Sequence, residues 1–236
     1  MKKSKISPMI TCCTRLAIVA LVTTLIPLGP VKADTIAAWT FETSIPATAG
    51  PFTAEVGSGS ASGYHAGAAV YSSPAGNGSS HSFSSNTWAI GDYYQFQVST
   101  TGLSGIQLDW DQTSSNTGPR DFRLAYSTDL LTFTDINAYN VLANAAPNPV
   151  WNGTTSSSIY HFTSNLSSNT ALDNMSNVYF RLIDNSTTSA NNGTVAAAGT
   201  DRVDNFTVSV VPEPSSIMLL VIVAFLGFVS SQWRRK

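Results

Sequence analysis

Ile106-Gln107-Leu108-Asp109-Trp110-Asp111 alternates apolar and polar side chains without a break. In an extended chain successive side chains leave opposite faces, so Ile106, Leu108 and Trp110 share one face while Gln107, Asp109 and Asp111 share the other. The same period of two recurs in Ile36–Glu42, Tyr93–Ser99, Phe122–Tyr126, Val178–Asp184 and Val203–Val210, and more briefly in Thr132–Ile136 and Ile159–Phe162. Gly, Ser, Asn and Pro fill the intervals, and no stretch between these strands carries 3.6-residue amphipathic spacing. The pattern predicts an all-β domain, a single β-sandwich of jelly-roll type over residues 34–210. Gly50–Asn86 and Asn185–Gly199 hold few large apolar groups and read as loops able to carry recognition.

The sequence on either side of this domain has a different composition. Lys2, Lys3 and Lys5 precede an apolar run from Leu16 to Leu28, and Val31-Lys32-Ala33 suits cleavage before Asp34, so residues 1–33 read as a secretory signal peptide. Residues 211–236 contain Pro212-Glu213-Pro214, an apolar run from Ile217 to Val229, and the basic end Arg234-Arg235-Lys236. A helix over about residues 215–233 would be about 28 Å long, enough to span a bilayer once. The prolines block its continuation toward the domain, and the cations hold its end in the cytoplasm. Either a permanent anchor or a removable tail fits these features.

Pro212, Glu213 and Pro214 with the helix and Arg234, Arg235 and Lys236 resemble the PEP-CTERM sorting signal of bacterial surface proteins. The resemblance implies an exosortase-type processing enzyme as partner. The precursor would be anchored in the inner membrane before the protein reaches the cell surface or extracellular matrix.

Composition narrows the chemistry. Both cysteines, Cys12 and Cys13, fall in the signal peptide, so the exported domain has no thiol for a nucleophile, a thiolate metal site or a disulfide. The domain holds four arginines (120, 123, 181 and 202) against thirteen Asp and Glu, a net charge of −9. So acidic a surface is a poor partner for nucleic acid. The three histidines make no zinc-hydrolase spacing, and no nucleophile elbow, P-loop or dinucleotide fingerprint occurs. Asp109 and Asp111 would stand about 6 to 7 Å apart on one strand face, a spacing that suits glycoside hydrolysis, but neighbouring acids on a strand are usually a solvated outer face and are read as one here. The domain is read as non-catalytic.

Glu42 closes Trp39-Thr40-Phe41-Glu42 and Asp204 lies in Arg202-Val203-Asp204-Asn205-Phe206; this pairing resembles secreted carbohydrate-binding jelly rolls. The resemblance implies a structural Ca2+ held by Glu42 and Asp204, for which oxygen ligands are suited. The competing reading pairs Asp204 with Arg202 or Arg181. The segment Gly118–Asp129 with Phe133-Thr134 is similar to a hairpin common in bacterial surface domains. Two functions follow: a noncatalytic surface or matrix protein, or a carbohydrate-binding module for extracellular polysaccharide. The second would stack sugars on exposed aromatics such as Trp88, Tyr93, Trp110 or Trp151, although these are read first as core residues.

Overall fold

A computed structural model describes residues 34–211. The expected signal peptide, the helix expected over 215–233 and the residues read as a sorting signal, Pro212, Glu213, Pro214, Arg234, Arg235 and Lys236, lie outside the described residues. Within them the chain forms β1 (Asp34–Trp39), β2 (Phe52–Thr53), β3 (Val56–Gly57), β4 (Gly59–Tyr64), β5 (Tyr71–Ser72), β6 (Phe83–Ser85), β7 (Tyr93–Val98), β8 (Ile106–Ser114), β9 (Asp121–Ser127), β10 (Thr134–Asn140), β11 (His161–Leu166), β12 (Val178–Asp184) and β13 (Asp201–Val210). Two single 3-10 turns, Ser158–Tyr160 and Thr170–Leu172, flank β11.

The strands form an all-β sandwich. One sheet runs β11-β8-β13-β1-β3, with β6 also on β13 and β5 on β6; the other runs β10-β9-β12-β7-β4-β2. Alternation decides which side chains meet between the layers. Ile106, Leu108 and Trp110 of β8 are buried, as are Tyr94, Phe96 and Val98 of β7 and Phe122 and Leu124 of β9. Phe96 of one sheet lies flat on Phe206 of the other, their ring centroids 3.5 Å apart, and Trp39 packs edge-on against both. Each fully buried aromatic of this kind contributes about 2 to 3 kcal/mol, which lets the domain dispense with a disulfide.

Three expectations change. Gly50–Asn86 is not a loop: it contains β2 to β6. The small side chains of β4 leave room for large ones from other strands, since a Cβ on Gly59 would stand 2.8 Å from the Trp39 indole of β1 and one on Gly63 would stand 2.6 Å from the Tyr71 ring of β5. Strand β1 stops at Trp39, three residues before Glu42, where Phe41 takes a left-handed backbone (φ 57°). Asp111 is not on a solvated face; it is buried beneath His161 and Asn205. By contrast, residues 185–199 contain no strand, and β9 and β10 form the expected hairpin, with Asp129 accepting from the Leu131 and Thr132 amides in its turn.

Candidate functional site

Strand register assembles the most distinctive surface. On the outer face of the six-stranded sheet, β7 presents Tyr93, Gln95 and Gln97 between their buried neighbours. β4 pairs Tyr64 with Tyr93, Ser62 with Gln95 and Ser60 with Gln97, and β12 pairs Arg181 with Gln95 and Tyr179 with Gln97. Tyr64 stacks on Tyr93 with centroids 5.1 Å apart and planes 18° apart. The Arg181 guanidinium carbon lies 3.8 Å from the Tyr93 ring centre and 3.7 Å from that of Phe133, in the β9–β10 turn. The result is a ladder of Tyr64, Tyr93, Arg181 and Phe133 across the sheet.

Polar groups continue from this ladder. Arg181 Nε donates to Gln95 Oε1 at 2.8 Å, Ser60 Oγ donates to Gln97 Oε1 at 3.2 Å, and Gln97 Nε2 donates to Asn177 Oδ1 at 2.7 Å. A cavity of about 290 Å³ opens there between Ser58–Ser60, Gln97–Ser99 and Ser176–Asn177. From Tyr93 to Ser99 the strand direction covers about 20 Å, room for several sugar rings. Burial raises the Tyr93 hydroxyl above its usual pKa, with Arg181 opposing, and burial lowers that of Arg181.

The four aromatic platform candidates fare differently. Trp88, Trp110 and Trp151 are buried, which corrects their reading as exposed sugar platforms. Their indole N–H groups donate inward, to Ser85 O at 3.0 Å, Gln112 Oε1 at 3.1 Å and Ala75 O at 2.7 Å respectively. Tyr93 reaches the outer face, but Tyr64 and Arg181 stack on it. The ring with more free surface is Tyr64, 49% exposed, at the end of the ladder. Read from the sequence, Tyr64 has no role and Arg181 enters only as a partner for Asp204. The alternation of Val178–Asp184 placed Arg181 outward, but only register put it beside Tyr93.

Glu42 and Asp204 converge on one loop rather than on one another. His81 N–H donates to Glu42 Oε1 at 2.8 Å, while Asp204 Oδ2 accepts from Asn77 N–H at 2.9 Å, Ser79 Oγ at 2.7 Å and Asn205 Nδ2 at 3.1 Å. Asp204 sits where β13 bulges, with Asn205 at φ 51°, between the stretch bonded to β6 and the stretch bonded to β1. Burial pushes its carboxyl up to about 7 against the pull of these hydrogen bonds. Among the described residues Asp204 has no ion pair with Arg202 or Arg181, and no three His, Cys, Asp or Glu side chains are grouped to hold a metal. The carboxylate that fastens the end of β1 is Glu55, which accepts from the amides of Thr40 (2.7 Å), Thr43 (2.6 Å) and Ser44 (3.0 Å). Burial would raise Glu55, yet these bonds and those from the Thr40 and Thr43 hydroxyls hold it at about 2.

Two further arrangements have catalytic geometry in outline. Asp92 Oδ2, His65 Nδ1, His65 Nε2 and Ser85 Oγ form an Asp-His-Ser chain with contacts of 2.8 and 2.9 Å. Ser85 is fully buried and bonded onward to the Tyr94 hydroxyl at 3.1 Å, so its oxygen cannot meet an external acyl group. The chain is an interior polar strut. On strands β8 and β11 of the seven-stranded sheet, His161 Nδ1 lies 2.9 Å from Asp111 and Nε2 lies 3.6 Å from Asp109, beside a cavity of about 270 Å³ shared with Asn77, Asn205 and Ser156–Ser158. His161 thus occupies the space between the two carboxylates.

No family model matches the chain, and no curated protein matches it. Among solved structures it is similar to a cleaved adhesin domain of Lys-gingipain from Porphyromonas gingivalis, at 13% identity over 74% of this chain and 98% of that one, with a TM-score of 0.42. It is also similar to the CBM22-2 xylan-binding domain of Paenibacillus barcinonensis Xyn10C, at 9% identity over 75% and 99%, with a TM-score of 0.45. The CBM22-1-GH10 modules of Clostridium thermocellum endo-1,4-beta-D-xylanase 10B, complexed with xylohexaose, match at 12% identity over 76% and 29%, with a TM-score of 0.42. These likenesses concern the sandwich architecture, and no ligand is carried across from them.

Proposed function

We propose that this domain is a noncatalytic glycan-binding β-sandwich of jelly-roll type, carried by an exported surface or matrix protein. The observation that carries the reading is the ladder of Tyr64, Tyr93, Arg181 and Phe133 beside the polar row of Gln95, Gln97, Ser60 and Ser62. Aromatic faces beside fixed amides and hydroxyls suit sugars, whose C–H faces pack on rings while their hydroxyls hydrogen-bond. The test is affinity electrophoresis of the purified protein through gels containing the producing organism's extracellular polysaccharide. Retardation that is lost in Tyr64→Ala, with the melting temperature unchanged, supports the reading; unchanged mobility of the unaltered protein rejects it. Burial of Trp88, Trp110 and Trp151 favours the second reading, a purely structural matrix component, which predicts no retardation.

Export by the signal peptide, insertion of the helix over 215–233 and processing by an exosortase-type enzyme at Pro212-Glu213-Pro214 complete the proposal, supported by the sequence alone. Mass spectrometry of the mature protein tests this: termini at Asp34 and near Pro212 are expected. A Ca2+ shared by Glu42 and Asp204 is a separate proposal, supported by both acids fastening the segment Asn77–His81. It requires Asp204 to exchange hydrogen-bond donors for the ion. No change in melting temperature with chelator, together with no metal by elemental analysis, would sink it.

A further inference from the structure

We propose, building on the glycan-binding reading, that Arg181 makes the site selective for a carboxylated polysaccharide, one containing uronic acid residues or their equivalent. The domain's arginines are differently employed. Arg120 and Arg123 are paired with Asp121 and Asp135, and Arg202 is half-buried on the other sheet, paired with Ser84 of β6 and Thr113 of β8 in register. Arg181 has no carboxylate within ion-pair distance among the described residues. Its environment selects which part of it remains available. The Tyr93 and Phe133 rings cover both faces of the guanidinium, and Gln95 takes its Nε.

What is left is the edge bearing the two Nη groups, held in orientation by two rings and one hydrogen bond. A planar guanidinium edge matches the two oxygens of a carboxylate through paired N–H donors, a match that a neutral hydroxyl cannot make. Holding the fork between rings also removes much of the rotamer entropy that an exposed arginine loses on binding. The net charge of −9 works against an anionic polymer at long range, but over several angstroms in salt the local pair outweighs distant charges. Selectivity therefore resides in one side chain and not in the field of the whole domain.

The experiment measures affinity of the intact protein for polygalacturonate, alginate and xanthan, and for xylan, galactan and fully methyl-esterified polygalacturonate, which has the same backbone without the charge. Arg181→Gln and Arg181→Lys are compared with the unaltered chain, after circular dichroism and thermal melting establish that each variant is folded. The expected result is that at least one carboxylated polymer binds about tenfold more tightly than the neutral ones. Arg181→Gln should weaken binding of the carboxylated polymer about tenfold more than it weakens binding of the neutral ones, and Arg181→Lys should keep part of that margin. Binding to neutral polymers with no carboxylate preference, or equal losses for both classes in Arg181→Gln, overturns this inference and leaves the glycan-binding reading standing. Absence of binding to every polymer overturns both.

Discussion

At the scale of single residues, the acids of this domain divide by how their charge is satisfied. Glu55 stays ionised because three amides and two hydroxyls at the end of β1 point at it. Glu55→Gln keeps the shape but weakens these charge-assisted bonds, and a loss of about 1 to 2 kcal/mol in urea unfolding is expected. Asp92 relies on the His65 imidazole and on the amides of Ala66 and Ala89, all within 2.8 Å. His65→Ala leaves a buried carboxylate and the Ser85 hydroxyl without their shared partner. Its unfolding free energy should fall by about 3 kcal/mol, whereas an exposed histidine replaced the same way would cost almost nothing. Neither role was visible in the sequence, because His65 and Asp92 lie 27 positions apart and only the fold makes them neighbours.

At the scale of elements, β7, β8, β12 and β13 could be read from period-two alternation because their inward positions carry large apolar groups. β4 could not, because Gly59, Ala61 and Gly63 supply little of the buried bulk themselves; it comes from Trp39, Tyr71 and Phe83. A strand of small residues looks like a loop when read alone. Gly59→Val should therefore force the Trp39 indole and the Gln97 carbonyl aside, with a melting-curve destabilisation of about 1 to 3 kcal/mol. If the segment were the loop that its composition suggests, the same change would be nearly neutral.

At the scale of the whole molecule, stability should depend on pH in a direction set by burial. Asp184 is buried and its carboxyl is pushed up to about 7 by desolvation, with Asp92 and Asp121 adding to the effect against backbone hydrogen bonds. Burial likewise raises Asp201 well above the ordinary range, against donors from Gln112 and Ser114. The unfolded chain releases these protons near pH 4, and the folded one holds them longer. Stability is thus fully present below about pH 4 for these groups and is lost as pH rises toward 7, by about 2 to 4 kcal/mol for Asp184. Glu55, whose pKa is lowered, acts oppositely and only on the acid side, as pH falls from about 4.5 toward 2. For these groups melting should therefore be highest near pH 4 and lower at pH 8, and Asp184→Asn should flatten the decline. A melting temperature that climbs from pH 5 to pH 8 would contradict this assignment.

The sequence by itself determined that the domain is built of strands and which face of each long strand turns inward, because alternation is a local property written in consecutive residues. It also established a strong excess of acids over arginines and the absence of cysteine from residues 34–210. Tertiary structure alone decided which strands adjoin. That choice buried three of the four aromatics proposed as platforms, drew Glu42 and Asp204 onto one loop, and stacked Tyr64, Tyr93, Arg181 and Phe133 into a single surface. The physical reason is that pairing depends on the fit of many side chains across two sheets, so a residue's exposure is set by partners that lie tens of positions away in the chain.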